Sequence, residues 1–248
     1  MRWKAIGGVV LLIGVAAAAA IQIYGKPYHP DASALEAMRG GHGITVTDSK
    51  RWIAFEPLQV KQPDVILYPG AWISPESYAP LASLLADRGY RTWIVKMPFE
   101  LAVFGVERAA DIMEMNPKQP YVIGGHSLGG AMAARYAAKH PDSVHGIFFL
   151  AAYADQKGSI RETKLAALSI TGKEDGVLNR QAYEEGKAYL PESTVYEEIK
   201  GGNHAGFGSY GMQKGDRPSR LKPDEQEALT ADMLSKWMNT IVTRSSSK

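Results

Sequence analysis

The sequence predicts an α/β fold: a mainly parallel sheet with helices on both faces, preceded by an N-terminal apolar helix. Three observations predict it. Short apolar runs such as "DVILYPG", "YVIGGHS" and "VHGIFFLAAYA" read as buried strands. Stretches with helix punctuation separate them, so strand and helix alternate. The 248 residues, 45% of them hydrophobic, suffice for one substantial α/β domain and are short for two.

The elements follow in order. "MRWK" supplies two positive charges, and Ala5 to Tyr24 then runs without a charge. As a helix that run would be ~30 Å long, about one bilayer core. Residues 1–25 are therefore expected to be a transmembrane anchor or a signal peptide. The positive flank would stay inside, leaving the domain outside a bacterial cell membrane as a single-pass protein. Cleavage within Ala16 to Ala20 would instead release it as a secreted protein. Residues 26–43 read as a linker with one helical turn, 44–242 as the domain, and 243–248 as a polar tail.

Within the domain, "GITVTDSKRWIAFEP" reads as two short strands joined at Asp48–Ser49, and "DVILYPG" as a buried strand ended by Pro-Gly. "SPESYAPLASLLADRG" reads as a helix capped by Ser74, with Pro75 at its first position and Gly89 at its end. "YRTWIVKMP" is a strand, "VERAADIMEMNP" a helix, "YVIGGHS" a strand and "LGGAMAARYAAKH" a helix stopped by Pro141. "VHGIFFLAAYA", "LAALSITG" and "TVYEEIKGG" are further strands. In the closing helix, "PDEQEALTADMLSKWMNTI", Leu229, Met233, Trp237 and Ile241 predict an apolar stripe. Ligands of such sheets bind where strands end in loops, at their carboxyl edge.

Composition narrows the chemistry. A net charge of +2 argues against a nucleic-acid groove. The absence of cysteine excludes disulfides, thiolate catalysis and cysteine-bound metal. Gly125-His126-Ser127-Leu128-Gly129 fits G-x-S-x-G and lies between a strand and a helix. There a serine sits on a sharp, strained turn, its hydroxyl at a helix N-terminus. A hydroxyl needs a base to act as nucleophile. Of six histidines, His29 and His42 precede the core, His126 adjoins the serine, and His140 and His145 lie at the far end of the next helix. His204, in "GGNHAGFG", follows a strand late in the chain and is the candidate base. Asp175, in "TGKEDG", is the candidate carboxylate, and gives the order Ser, Asp, His expected for this elbow. Glu174 and Asp155 are its rivals.

The elements "YPGAW", "GGHSLGG", "TGKEDG" and "GGNHAGFG" together resemble the α/β-hydrolase fold family, from about Ile44 to Ile241. The chain is most similar to small bacterial members with a membrane anchor. The resemblance implies Ser127 as nucleophile, His204 as base and then acid, and Asp175 as its orienter. It implies an oxyanion hole from the Leu128 N–H and a second N–H after "VILYPG", from Ala71 or alternatively Trp72. The family commonly has His-Gly where this chain has Pro69-Gly70. It also implies a pocket without a cap, since only "DQKGSIRETK" separates two strands where a cap is often inserted. Such a pocket would be shallow, lined by Trp72, Phe99, Leu101, Phe104, Tyr153 and Phe207. The expected activity is that of a carboxylesterase-like serine hydrolase, cleaving a small-molecule ester, lactone or thioester through an acyl-enzyme. The alternative is a membrane-tethered binding protein that keeps the fold without the chemistry.

"GFGSYG" fits the dinucleotide pattern G-x-G-x-x-G, but it follows His204 and precedes a polar loop rather than opening a helix. No cofactor is expected. No histidines sit at metal-ligand spacing, so no metal is expected either. The basic loop Lys214 to Lys222 reads as a solvated face with a possible reach to anionic headgroups.

Overall fold

The computed structural model describes residues 27–245, so the expected N-terminal apolar helix lies outside the described residues. Eight strands form one sheet: β1 (Ile44–Asp48), β2 (Trp52–Pro57), β3 (Lys61–Tyr68), β4 (Tyr90–Val95), β5 (Tyr121–His126), β6 (Gly146–Leu150), β7 (Ala166–Gly172) and β8 (Val195–Ile199). Their order is β1-β2-β4-β3-β5-β6-β7-β8. β2 pairs antiparallel with β1 and β4, and every later pair is parallel.

Alternation along the central strands fills two apolar layers. Val65 and Leu67 enter one, with α2 (Ala79–Asp87) and α6 (Pro223–Ser245) over it. Ile66 and Tyr68 enter the other, under α3 (Ala109–Met115) and α4 (Leu128–Lys139). The sheet is thus covered on both faces, as parallel strands require.

Several local readings are corrected. Ser74 makes no capping bond; its hydroxyl donates to Glu100 Oε1 instead, and the chain forms a 3-10 turn over Pro75–Tyr78 before α2. The apolar stripe of α6 is rotated from the one expected. Residues four apart advance by about 40° around a helix each time, so a stripe of period four drifts off the core. Leu229 is accordingly exposed, and Ala231, Leu234, Trp237, Met238 and Ile241 are buried. One helix went unread, α5 (Arg180–Gly186), although Asn179 caps it through the Ala182 N–H and a glycine ends it. The helical turn expected within residues 26–43 is α1 (Ala32–Ala37), capped by Asp31, with Ala34 fully buried. Among the described residues no helix is long and apolar enough to cross a membrane.

Candidate active site

β5 ends at His126 and α4 starts at Leu128, so Ser127 alone makes the turn between them. Its φ of 50° lies in the left-handed region, a strained conformation for a residue with a side chain. The turn is possible because the backbones meet at glycines. A Cβ on Gly125 would stand 2.3 Å from the Tyr68 carbonyl oxygen, and one on Gly129 2.1 Å from it. The Ser127 N–H donates to the Leu150 carbonyl at 2.9 Å, while its hydroxyl makes no capping bond.

The loops after β7 and β8 reach the same edge. Asp175 and His204 are both buried, and His204 Nδ1 lies 2.8 Å from Asp175 Oδ2. The other oxygen, Oδ1, accepts the Val177 and Leu178 N–H groups, each at 2.8 Å. Burial alone would raise the Asp175 pKa. The hydrogen bond and charge of His204, helped by these amides, outweigh it and hold the carboxyl below its ordinary value. An ionised carboxylate only accepts, so His204 Nδ1 carries the proton of the pair. In the neutral ring Nε2 is then bare, and it is buried without a hydrogen-bond partner. The two rivals are engaged elsewhere. Asp155 is gripped by the Arg135 guanidinium and caps a turn through Gly158 N–H. Glu174 pairs with Arg220 at 3.3 Å.

Beneath this pair lies His126. The Gly70 N–H donates to Tyr78 Oη at 2.9 Å, so the Tyr78 hydroxyl hydrogen is available to His126 Nδ1, also at 2.9 Å. Burial first, and then the charge of His204, hold the His126 pKa well below its ordinary value. A neutral ring therefore lies against that of His204, centroids 4.5 Å apart and tilted by 50°. Of the oxyanion candidates, Leu128 opens α4, so its N–H has no acceptor within the helix. The Trp72 N–H is already given to the Glu100 carbonyl at 2.9 Å. The Ala71 N–H makes no hydrogen bond among the described residues.

Ser127, Leu128 and His204 line one cavity of ≈ 370 Å³. Its apolar wall is Ala131, Met132, Val177 and Leu178, with Arg135 and Asp155 at one side. Of the six apolar side chains expected there, only Tyr153 lines it. Phe207 is corrected to a core residue: a 3-10 turn over Ala205–Phe207 buries it fully, 5.8 Å from the His126 ring. Trp72 is corrected too: its loop braces Glu100 and Tyr28 rather than facing the cavity. Phe99 and Phe104 point to solvent. Met132 and Arg135 were not expected there; Arg135, eight residues after Ser127, had a signal in helical spacing, and Met132 lies four residues after Leu128.

The loop read as a solvated basic face also does structural work. Asp216 accepts Gly176 N–H at 2.9 Å and Ala205 N–H at 2.8 Å, tying the Asp175 loop to the His204 loop. Arg217 donates to the carbonyls of Glu174 at 3.0 Å and Asp175 at 2.8 Å. Gln226, at the start of α6, brackets the backbone of Asn203 from both sides. Among the described residues no cluster of His, Asp or Glu could hold a metal ion.

Comparison with known proteins agrees with this architecture. A pyrethroid hydrolase of Sphingobium wenxiniae is 33% identical over 111 residues, which are 40% of this chain and 39% of that protein. The chain therefore matches well under half the length of this curated relative. A monoacylglycerol lipase from Paleococcus ferrophilus superposes with a TM-score of 0.59 at 14% identity, over 78% of this chain and 99% of that one. Dienelactone hydrolase from Anabaena variabilis ATCC 29413 gives 0.57 at 17% identity, over 79% and 97%. At such identities the likeness is one of fold. The sequence pattern of the alpha/beta hydrolase family matches residues 64–228, more than half of the chain. The chain belongs to the alpha/beta hydrolase family.

Proposed function

We propose that this protein is a serine hydrolase of carboxylic esters, with Ser127 as nucleophile, His204 as general base and acid, and Asp175 as the group that orients and charges-matches the imidazole. The observation that carries this reading is the His204 ring: Nδ1 held by an ionised carboxylate, bare Nε2, and a shared cavity with a serine on a strained strand-to-helix turn. In the reaction Nε2 takes the Ser127 proton as Oγ attacks the ester carbonyl. The negative charge that develops on the carbonyl oxygen meets the N–H groups of Leu128 and Ala71. The imidazolium gives its proton to the departing alkoxide, leaving an acyl-serine and a free alcohol. Water then repeats the sequence: Nε2 takes its proton, the hydroxide oxygen bonds the acyl carbon, and the carboxylic acid leaves as Ser127 regains its proton.

A cavity of ≈ 370 Å³ is at the small end for ligand sites and favours compact esters. The charge-free run Ala5 to Tyr24 supports a membrane-tethered or exported enzyme. The test is hydrolysis of p-nitrophenyl esters of graded acyl length. A pyrethroid belongs in the panel because the curated relative is named for one. Turnover is expected to favour short acyl chains and to fall on the order of 10⁶-fold in Ser127→Ala. Equal turnover by that variant would overturn the proposal.

A further inference from the structure

The loop after β4 carries three exposed apolar side chains at the edge of the sheet that holds Ser127. Phe99 is 82% exposed, Phe104 61% and Val103 44%. The two rings pack edge to face at 5.8 Å, so they form one patch rather than scattered residues. The backbone presents them at a cost: Phe99 and Glu100 are consecutive residues with φ of 55°, where side chains are disfavoured. Glu100 is braced in that state by the Trp72 N–H on its carbonyl at 2.9 Å and the Ser74 hydroxyl on Oε1 at 3.2 Å. A strained loop that holds aromatic rings in water calls for something to cover them.

The course of the chain says what covers them. The same loop that braces Glu100 binds the start of the described chain, with Tyr28 N–H on the Trp72 carbonyl at 2.6 Å and Ser74 N–H on the Tyr28 carbonyl at 3.0 Å. The described chain therefore begins at the end of the molecule that carries the patch. The charge-free run ends at Tyr24, four residues before Tyr28 in the sequence. Lys26 lies between them in sequence, and exposed Lys214 is fixed beside Tyr28 by its N–H on the Tyr28 hydroxyl at 3.1 Å. Exposed aromatic side chains on the same end of a domain as an apolar run and lysines are the composition of a surface that sits in the headgroup region.

We propose that the Phe99–Val103–Phe104 patch is a lipid-contact surface that seats the domain on the bilayer with its Ser127 edge toward the headgroups. The consequence for chemistry rests on the hydrolase reading: esters would reach the cavity from the lipid–water interface. The chain has no cysteine, so single sites can be labelled cleanly. The full chain carrying Phe104→Cys, labelled with an environment-sensitive dye, is mixed with phosphatidylcholine–phosphatidylglycerol vesicles containing a spin-labelled quencher lipid. The reference is Asp142→Cys, on the exposed turn before β6 at the opposite edge. Quenching at position 104 is expected to exceed that at 142 at least fivefold. Equal quenching at both positions would overturn the proposal. So would a dye at 104 that shifts only with protein concentration in vesicle-free buffer, which would assign the patch to a second copy of the chain. The readout needs no turnover: quenching at 104 in a chain that hydrolyses neither soluble nor vesicle-borne esters would sustain the surface and overturn the hydrolase reading.

Discussion

Two imidazole–carboxylate pairs in this molecule have the same separation and opposite surroundings. His204 and Asp175 meet at 2.8 Å with side chains 1% and 0% exposed; His140 and Glu107 meet at 2.8 Å with side chains 33% and 52% exposed. Asp175 has its second oxygen filled by two amides, so its charge is committed to His204. Glu107 shares its charge with Lys139, whose hydrogen bond leads in lowering its pKa, and water competes for the rest. Distance is common to both pairs. What differs is whether solvent can answer the charge, and whether a serine on a strained turn lines the same cavity. An exposed pair contributes little, because water screens it, whereas a buried one fixes a tautomer.

That contrast can be broken by substitution. Asp175→Asn keeps the shape of the pair but lets the imidazole adopt the wrong tautomer, and kcat on a p-nitrophenyl ester is expected to fall on the order of 10⁴-fold. A loss of tenfold or less would show that burial of this pair does not serve the reaction.

A third carboxyl sharpens the comparison from the other side. Glu227 is as buried as Asp175, but among the described residues its carboxyl meets only the Ser209 hydroxyl, which donates to Oε1 at 2.8 Å. Burial, without a cation to offset it, pushes its pKa from an ordinary 4.5 up to about 8. The folded protein then keeps this proton up to about pH 8, while the unfolded chain releases it near 4.5. Between those values the unfolded state binds fewer protons, so stability falls as pH rises, by at most about 1.4 kcal/mol per unit. In Glu227→Gln that slope is expected to vanish, giving a flatter Tm profile from pH 5 to pH 8 than wild type. Parallel profiles would contradict the assignment.

The smallest effect is expected at the exposed pair. Glu107→Gln should leave kcat/KM unchanged and cost no more than about 1 kcal/mol in a urea melt. A tenfold loss of activity would mean that the two pairs are not as different as their burial implies.

Much of this arrangement is legible in the sequence, for physical reasons that can be named. The strands were read from apolar runs because parallel strands are buried on both faces. The elbow was read from glycines whose backbones must touch, and Gly125 and Gly129 do approach the Tyr68 carbonyl. The chain alone favoured Asp175 over Glu174 and Asp155 by the order Ser, Asp, His, and the structure adds which loop reaches the ring. It also placed Phe207 in the pocket, because a residue three beyond His204 has no periodicity to say whether a 3-10 turn buries it. Asp216 and Gln226 were not anticipated: they act on backbone amides of distant loops, and no spacing along the chain encodes such contacts. Arg135, eight residues past Ser127 on α4, had a signal in helical spacing, and α5 had one in its capping residue, Asn179.

The most direct test of the account is covalent. Folded protein is incubated with a fluorophosphonate, and the modified peptide is located by mass spectrometry. The predicted result is a single adduct on Ser127 that forms in wild type and is nearly absent in His204→Ala. Labelling of another residue, or equal labelling of Ser127 with and without the imidazole, would contradict it.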